Sequence, residues 1–151
     1  MYQAHVWGPS LANLPISGTL NYTLSLDTNV NNMSHATPVR TIYDQNANGD
    51  NYLSVFNLEV QLGQQTKFKA DVQTNSWFFY QANAVTGNLN KNSGEFHFNV
   101  NDPEGFGSCP ACNFKVGGFL SGEQAVQAGV VYQYRDNDGI VHTGGAVLDK
   151  Q

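Results

Sequence analysis

The sequence is poor in charged residues and in long apolar runs. Only 13% of its 151 residues are charged, and the seven lysines and arginines are spread along the chain without a basic stripe. Because the net charge is −5, nothing in the sequence would neutralise a phosphate backbone, and no nucleic-acid partner is expected. No apolar run approaches the roughly 18 residues that a membrane-spanning helix needs, so we do not expect the chain to span a membrane.

The sequence has only two cysteines, and its first residues do not resemble a secretion signal. Residues 1–7 lack the charged region and the apolar stretch of a secretion signal, so the signal or anchor of an exported protein is expected outside this chain. The two cysteines leave no odd thiol, which suits an oxidising compartment. The length suits one domain without a linker or repeat. We therefore expect residues 1–151 to be a single domain of a longer exported protein.

Apolar and polar residues alternate through most of the chain, which is the pattern of strands with one buried face. The clearest run is residues 20–26, where leucine or tyrosine stands at every second position. A phase shift in a second strand predicts a bulge near Phe56 and Asn57. The strands predicted beyond the first are residues 53–62, 68–72, 77–79, 96–100, 114–116, 130–134 and 140–148.

Turn signals separate these strands, at residues 63–64, at residues 90–94 and at Asp138-Gly139, which predicts a hairpin. Helix is scarce, with one helical turn predicted near residues 122–128. About eight strands joined by short turns form a meander, and such a meander closes readily into a barrel, which removes exposed edges. We predict an all-β fold: a single eight-stranded antiparallel meander barrel with at most one short helical turn.

Residues 117–132, GGFLSGEQAVQAGVVY, carry a regular spacing of glycine, alanine and aromatic residues. This stretch resembles the Gly-Phe-x-x-Gly-x-x-Ala-x-x-Ala-Gly-x-x-Tyr signature of transferrin-binding-protein-like β-barrel domains. Residues 14–22, LPISGTLNY, are similar to the opening strand of the version associated with FecR domains. Together the two likenesses bracket nearly the whole chain.

The resemblance implies a barrel domain of an exported bacterial protein. Such domains occur in Gram-negative surface lipoproteins, in secreted haem-capturing proteins and as C-terminal modules of exported proteins with FecR domains. The implied location is the periplasm, the outer-membrane surface or the outside of the cell. This chain differs from the lipoprotein members because it has no obvious companion handle domain and no lipidated N-terminal cysteine.

Two segments, residues 27–50 and 101–113, interrupt the strand pattern, and irregular segments of this kind often carry recognition. Aromatic side chains give large contact area for little lost entropy, so Tyr43, Tyr52 and Phe106 are the predicted ligand-binding anchors. We predict a non-enzymatic module that binds a protein or small-molecule ligand, not yet identified, through these two segments. It requires no cofactor.

The segment 109–112, CPAC, has the Cys-Pro-x-Cys form of thiol–disulfide oxidoreductases, in which a helix N-terminus stabilises the attacking thiolate. Residues 113–116 are predicted as strand, so that helix is missing. The ends of a four-residue turn come within roughly 7 Å, close enough for a disulfide. We predict a structural disulfide between Cys109 and Cys112, worth about 2 kcal/mol. Half of a metal site and redox chemistry are the alternatives.

Residues 44–50, DQNANGD, match the first half of a calcium loop, with oxygen ligands at alternate positions and a glycine at the sharp turn. Val55 stands at the twelfth position, where such a loop needs a bidentate glutamate. A plain polar loop that uses the same residue types for turn geometry is the better supported alternative. The candidate calcium ligands are Asp44, Asn46, Asn48 and Asp50.

Histidines stand at positions 5, 35, 97 and 142, and they raise a haem hypothesis. One neutral imidazole on a loop can ligate haem iron, and His35, beside Met33, is the first candidate. His97 alternates with Phe96 and Phe98, so we expect the imidazole to point to solvent while the rings point inward. No histidine pair has the spacing of metal ligands.

Enzyme hypotheses find the least support. The sequence has no nucleophile elbow, phosphate-binding glycine loop or zinc-protease motif. Asp102 and Glu104 are two carboxylates close in sequence, but Pro103 and Gly105 indicate turn residues. The binding module therefore stands first, with a haem-binding barrel and a purely structural module of a larger surface protein as the alternatives.

Overall fold

A computed structural model describes residues 6, 8–24, 52–75, 81–101, 112–135, 139 and 141–151. The described residues form eight strands and no helix, and so none that could cross a membrane. The strands are β1 (Gly18–Leu24), β2 (Tyr52–Leu62), β3 (Lys67–Asn75), β4 (Gln81–Asn88), β5 (Glu95–Asn101), β6 (Asn113–Ser121), β7 (Gln127–Arg135) and β8 (Val141–Lys150).

The eight strands form one antiparallel sheet in the order β4-β3-β2-β1-β8-β7-β6-β5. Each strand pairs with its neighbour in sequence except at one place, and β1 pairs with β8 through Tyr22, Thr23 and Leu24. Pairing of the first strand with the last joins the strands into a nearly closed barrel, in which one gap remains between β4 and β5. We call this gap the seam. The predicted all-β antiparallel barrel is confirmed.

Alternation along the strands decides which side chains fill the barrel. Phe96 and Phe98 of β5 are 2% and 8% exposed, whereas His97 between them is exposed on the outer face, as the sequence predicts. Ring contacts join the strands inside. The Phe68 ring lies 5.3 Å from that of Phe96, and the Phe114 ring stacks 5.8 Å from that of Tyr134. In the described part of the chain, aromatic and aliphatic side chains occupy the interior.

Large rings of this barrel lie over glycines on neighbouring strands. Phe68 pairs with Gly87, and Phe96 pairs with Gly118. A Cβ atom at Gly87 would lie 2.7 Å from the Phe68 ring, and one at Gly118 would lie 2.4 Å from the Phe96 ring. The missing side chain is therefore what lets each ring lie flat against the adjacent strand, as aromatic residues do when they cover glycine in a sheet.

One strand prediction needs correction, and one observed strand was not predicted. The register of β2 against β3 shifts between Leu53 and Val55, so the bulge lies before Phe56 and not at Phe56 and Asn57. The fourth strand is Gln81–Asn88, and the predicted strand at 77–79 lies outside the described residues. The sequence of β4 gives a poor strand signal because it carries small residues and a bulge, with Ala84 at φ +54°.

The predicted helical turn near residues 122–128 is wrong. Residues 122–126 form a tight connection between β6 and β7, in which Gln124 and Ala125 both have φ +54°. A right-handed helix needs negative φ, so these residues turn the chain the opposite way. The hairpin between β7 and β8 is present, and Gly139 has φ +78°, the left-handed conformation that favours glycine in such turns.

Candidate functional site

The barrel has two ends of different construction. At one end lie the turns 63–66, 89–94 and 122–126 together with residues 8–14, which we call the strap. This is the strap end. At the other, the far end, the described strands stop at residues that flank the connections 25–51, 76–80, 102–112 and 136–140; these residues are Leu24, Tyr52, Asn75, Gln81, Asn101, Asn113, Arg135 and Val141.

Backbone hydrogen bonds hold the strap against the β6–β7 turn. The Gly122 amide donates to the Pro9 carbonyl at 3.2 Å, and the Ala12 amide donates to the Gly122 carbonyl at 3.1 Å. The Gln124 amide donates to the Ala12 carbonyl at 2.7 Å, and Ala12 forms a parallel bridge with Glu123. The strap therefore adds to the turn in the manner of a short strand, and the left-handed conformation of Gln124 aims its amide at the strap.

Side chains complete the closure of the strap end. Leu11 and Leu14 pack against the core, and the Ser121 hydroxyl donates to the Pro9 carbonyl at 2.5 Å. The Tyr22 hydroxyl, on a residue 1% exposed, donates to the Ala125 carbonyl at 2.6 Å. Burial raises the pKa of Tyr22 well above its ordinary value because the phenolate would lose its hydration. The strap end is thus filled by protein.

Described residues line two clefts, a smaller one of about 220 Å³ at the turns 63–66 and 89–94 and a larger one on the outer surface of the barrel. The larger, of about 260 Å³, crosses β1, β2 and β3. The Asp71 carboxylate beside it accepts a hydrogen bond from the Ala84 amide at 2.7 Å, so this side chain is fixed by the β4 bulge. The cleft can hydrogen-bond a small polar group, and its polar side chains are Asn21, Thr23, Asn57, Glu59, Lys69 and Asp71.

A second polar area lies on the outer face of β5 and β6 near the far end. The Asn113 side-chain amide donates to the side-chain oxygens of Asn99 at 2.5 Å and of Asn101 at 2.8 Å. Lys115 is paired with Asn99 across the two strands and is exposed. The sequence indicated only a wet outer face here. The linked amides were not predicted because their contacts depend on the β5–β6 register.

Most of the predicted site residues lie outside the described residues. Tyr52 begins β2, but its side chain is not described. Cys112 is described: it is 1% exposed and is not a free thiol. Its disulfide to Cys109 stays a prediction. The residues that lie outside the described ranges are His35, Tyr43, Asp44, Asn46, Asn48, Asp50, Phe106 and Cys109.

His97 is a described histidine on the outer face of β5, and it belongs to no group of three ligand-type side chains among the described residues. Among the described side chains, no three histidine, cysteine, aspartate or glutamate groups come together in a way that could hold a metal ion. The predicted calcium ligands and His35 lie outside those residues, so calcium binding and haem binding stay predictions from the sequence.

The geometry thus brings together a filled interior, a closed strap end and two polar areas on the outer face. Comparison of the chain with known protein families, with curated proteins and with solved structures finds no significant match.

Proposed function

We propose that this chain is a non-enzymatic binding module that recognises a protein or small-molecule partner at the far end of the barrel. The observation that carries the proposal is the contrast between the two ends. The strap and its hydrogen bonds occupy the strap end, whereas both predicted recognition segments, residues 27–50 and 101–113, leave and rejoin the barrel at the far end. A rigid scaffold that presents connections from one end is a common arrangement for binding.

The order of strands around the barrel supports a single surface made from both segments. The first connects β1 to β2 and the second connects β5 to β6, so they attach on opposite sides of the same rim. A ligand that contacts both would lie across the far end. The side chains that fill the interior, among them Phe56, Phe98 and Phe114, leave the rim and not the lumen as the place for it.

The test replaces residues 27–50 and, separately, residues 102–111 with short glycine-serine linkers. Thermal melting and near-ultraviolet circular dichroism report whether each variant keeps its fold. Cross-linking of the unaltered domain to a lysate of its own cells identifies a partner, and the variants are then compared in binding to that purified partner. Loss of binding in both folded variants is expected. The matched control is Lys91→Ala, an exposed residue in a strap-end turn, which should bind normally.

If both linker variants still bind the partner, the far end is not the recognition surface. If the unaltered domain has no partner and the parent protein works without either segment, the purely structural alternative is correct. Incubation with haemin separates the remaining alternative: a Soret shift that disappears in His35→Ala but not in His97→Ala would support haem binding by His35. Calcium binding predicts a higher melting temperature with added Ca²⁺ that Asp44→Ala removes.

The likeness to transferrin-binding-protein-like barrel domains belongs to the same proposal. Its coarser part, an eight-stranded antiparallel barrel, is observed. Residues 117–132 form the second half of β6, the tight turn and the first part of β7. Export to the periplasm, cell surface or medium follows from that likeness. Alkylation of the native and the reduced protein, read by mass spectrometry, tests the proposed Cys109–Cys112 disulfide that an oxidising compartment would favour.

A further inference from the structure

The seam leaves two strand edges without a strand partner in the described part of the barrel. Pairing between β4 and β5 extends no further than the turn that joins them, where the Asn90 amide donates to the Glu95 carbonyl at 2.9 Å. On its other side β5 pairs with β6 along its whole length. An unpaired edge presents a row of amide donors and carbonyl acceptors that another extended chain can use.

Hydrogen bonds at the turn fix which residues of β5 face the seam. The Glu95 carbonyl points to β4, and the Gly94 carbonyl points to β6, where it accepts from the Leu120 amide at 3.0 Å. Main-chain groups of successive residues in a strand point to alternate sides. The amides and carbonyls of His97 and Asn99 therefore face the seam, whereas those of Phe96 and Phe98 are used by β6.

The opposite edge follows the same rule. The Leu89 amide donates to the Thr66 carbonyl of the β2–β3 turn at 2.9 Å, and Asn90 faces β5. Thr86 and Asn88 consequently face the seam. At Ala84 the strand bulges, with the Ala84 amide bound to Asp71 on the β3 side, and a bulge bends the strand that carries it.

Among the described residues, ring contacts and not strand pairing cover the interior beneath the seam. The Phe68 ring of β3 lies 5.3 Å from the ring of Phe96 and 5.8 Å from that of Phe98, both on β5. These contacts reach past β4, whose Ala82 and Gly87 leave room for them. The apolar core under the seam is therefore covered, and no described strand pairs with either edge beyond the turn 89–94.

The sequences of the two edges have few of the features that keep edge strands from pairing. Neither QANAVTGN of β4 nor EFHFNVN of β5 contains lysine or proline, and Glu95, at the turn, is the one charged residue in them. Lysine, proline and inward-pointing charge are the usual protection of an edge. The β4 edge has its bulge, and the β5 edge has none of these.

We propose that the seam is a strand-addition site, at which a single extended segment of a partner protein pairs with the seam-facing main chain of β5. Main-chain hydrogen bonds would supply most of the affinity, as in other cases where a peptide adds to a sheet edge. A single extended segment fits because the turn 89–94 holds the two edges close together. A second folded barrel is too wide to enter the gap between them. This inference goes beyond the proposed function and needs neither 27–50 nor 101–113.

The test uses heptapeptides selected from a displayed random library on the folded domain, with amide exchange measured by NMR. Bound peptide should slow exchange of the His97 and Asn99 amides while those of Phe96 and Phe98, already bonded to β6, change little. His97→Pro removes one seam-facing amide, and proline is tolerated at a strand edge. Its partner on β6 is Gly117, which leaves room for the ring.

The matched control is His97→Ala, which removes the imidazole but keeps the amide. We expect His97→Pro to weaken peptide binding by about tenfold, the effect of one lost hydrogen bond, and His97→Ala to leave it nearly unchanged. Equal losses in the two variants, protection elsewhere on the barrel, or a library without binders would overturn the proposal. So would protection that grows with protein concentration alone, because that indicates pairing with a second copy. If His97→Pro does not fold, the exchange pattern of the unaltered protein decides.

Discussion

The strap end and the far end of this barrel use the chain in opposite ways. At the strap end the β2–β3 connection spans only residues 63–66, and the strap bonds to the β6–β7 turn through main-chain groups of residues more than a hundred positions apart. At the far end the β1–β2 connection spans residues 25–51. The two ends belong to one sheet, and the strap end is held by hydrogen bonds between the strap and the β6–β7 turn.

At the strap end, close packing restricts which residues the chain can carry. Gly94 shows how closely the strap end is packed, because a Cβ atom there would lie 3.0 Å from Leu11 and 3.1 Å from the Leu120 carbonyl. Interactions of this density restrict sequence change, whereas connections that lie outside a packed core tolerate it. We expect sequence changes in the far-end connections to cost less stability than changes at the strap end.

Leu120→Ala should have the largest effect on stability. Leu120 is 1% exposed at the strap end, and its removal leaves a cavity, so we expect a loss of about 3 kcal/mol in the free energy of unfolding. Val100→Ala, at the half-buried end of β5 near the far end, should cost about 1 kcal/mol or less. Urea unfolding measures both. Equal losses would show that the two ends contribute alike.

Gly118→Ala tests whether the close contact between ring and strand limits the sequence near the strap end. The new methyl group would lie 2.4 Å from the Phe96 ring and 2.9 Å from the Gly129 carbonyl, which belongs to the backbone and cannot turn aside. We expect a loss of about 2 kcal/mol in the free energy of unfolding. The adjacent Gly117 faces outward, with its nearest neighbour at 3.8 Å, so Gly117→Ala should stay within about 0.5 kcal/mol. A Gly118→Ala variant as stable as Gly117→Ala would contradict this packing.

Tyr22→Phe tests the bond between β1 and the strap-end turn. Loss of the hydroxyl that binds the Ala125 carbonyl should cost about 1 to 2 kcal/mol in the free energy of unfolding at neutral pH. Because burial raises the pKa of Tyr22 in the folded state, its contribution is complete below the unfolded value of about 10 and falls as pH rises above it.

The stability difference between the unaltered protein and Tyr22→Phe should therefore shrink in strongly alkaline solution. Urea unfolding below and above about pH 10 measures it, and the other tyrosines cancel in the difference. A difference that stays constant would mean that the Tyr22 hydroxyl ionises as readily in the folded protein as in the unfolded chain, and that it is not buried in the way described.

The barrel could be predicted because its inward residues alternate with polar ones on nearly every strand, as Phe96, His97 and Phe98 do on β5. The strand β4 was missed for a physical reason. Its small residues are needed opposite the Phe68 ring of β3. The pattern of β4 is therefore set by a residue on another strand, which local alternation does not reveal. Alternation detects a buried face only where the buried residues are large.

The strap end could not be predicted from local patterns. Residues 122–128 contain good helix formers, and local preference favours a helical turn. The observed turn is set instead by two long-range hydrogen bonds. The Gln124 amide donates to the Ala12 carbonyl of the strap, and the Tyr22 hydroxyl donates to the Ala125 carbonyl. Contacts of such long range overrule local preference. The recognition residues predicted from the sequence, such as His35 and Phe106, depend on connections outside the described residues.

Ser121→Ala should have the smallest effect, and it addresses the strap alone. The Ser121 hydroxyl donates to the Pro9 carbonyl, and a Cβ atom at Gly8 would lie 2.7 Å from the Ser121 hydroxyl oxygen. The strap therefore passes directly over the Ser121 side chain. We expect a loss of about 1 kcal/mol or less in the free energy of unfolding. Exchange of the Gln124 amide, which bonds to the strap, should rise more than global unfolding explains, because the strap can detach while the barrel stays folded.

The matched control for the strap is Glu123→Ala, which removes the exposed carboxylate that accepts a hydrogen bond from the Asn13 side-chain amide at 2.5 Å. Because that pair lies in solvent, the variant should change stability by less than about 0.5 kcal/mol and leave exchange of the Gln124 amide nearly as it was. If Ser121→Ala and Glu123→Ala behave alike, the strap is held by its main-chain bonds to the turn and not by the buried hydroxyl. Closure of the strap end would then depend on the left-handed turn itself, and the two ends would differ in backbone conformation more than in side-chain packing.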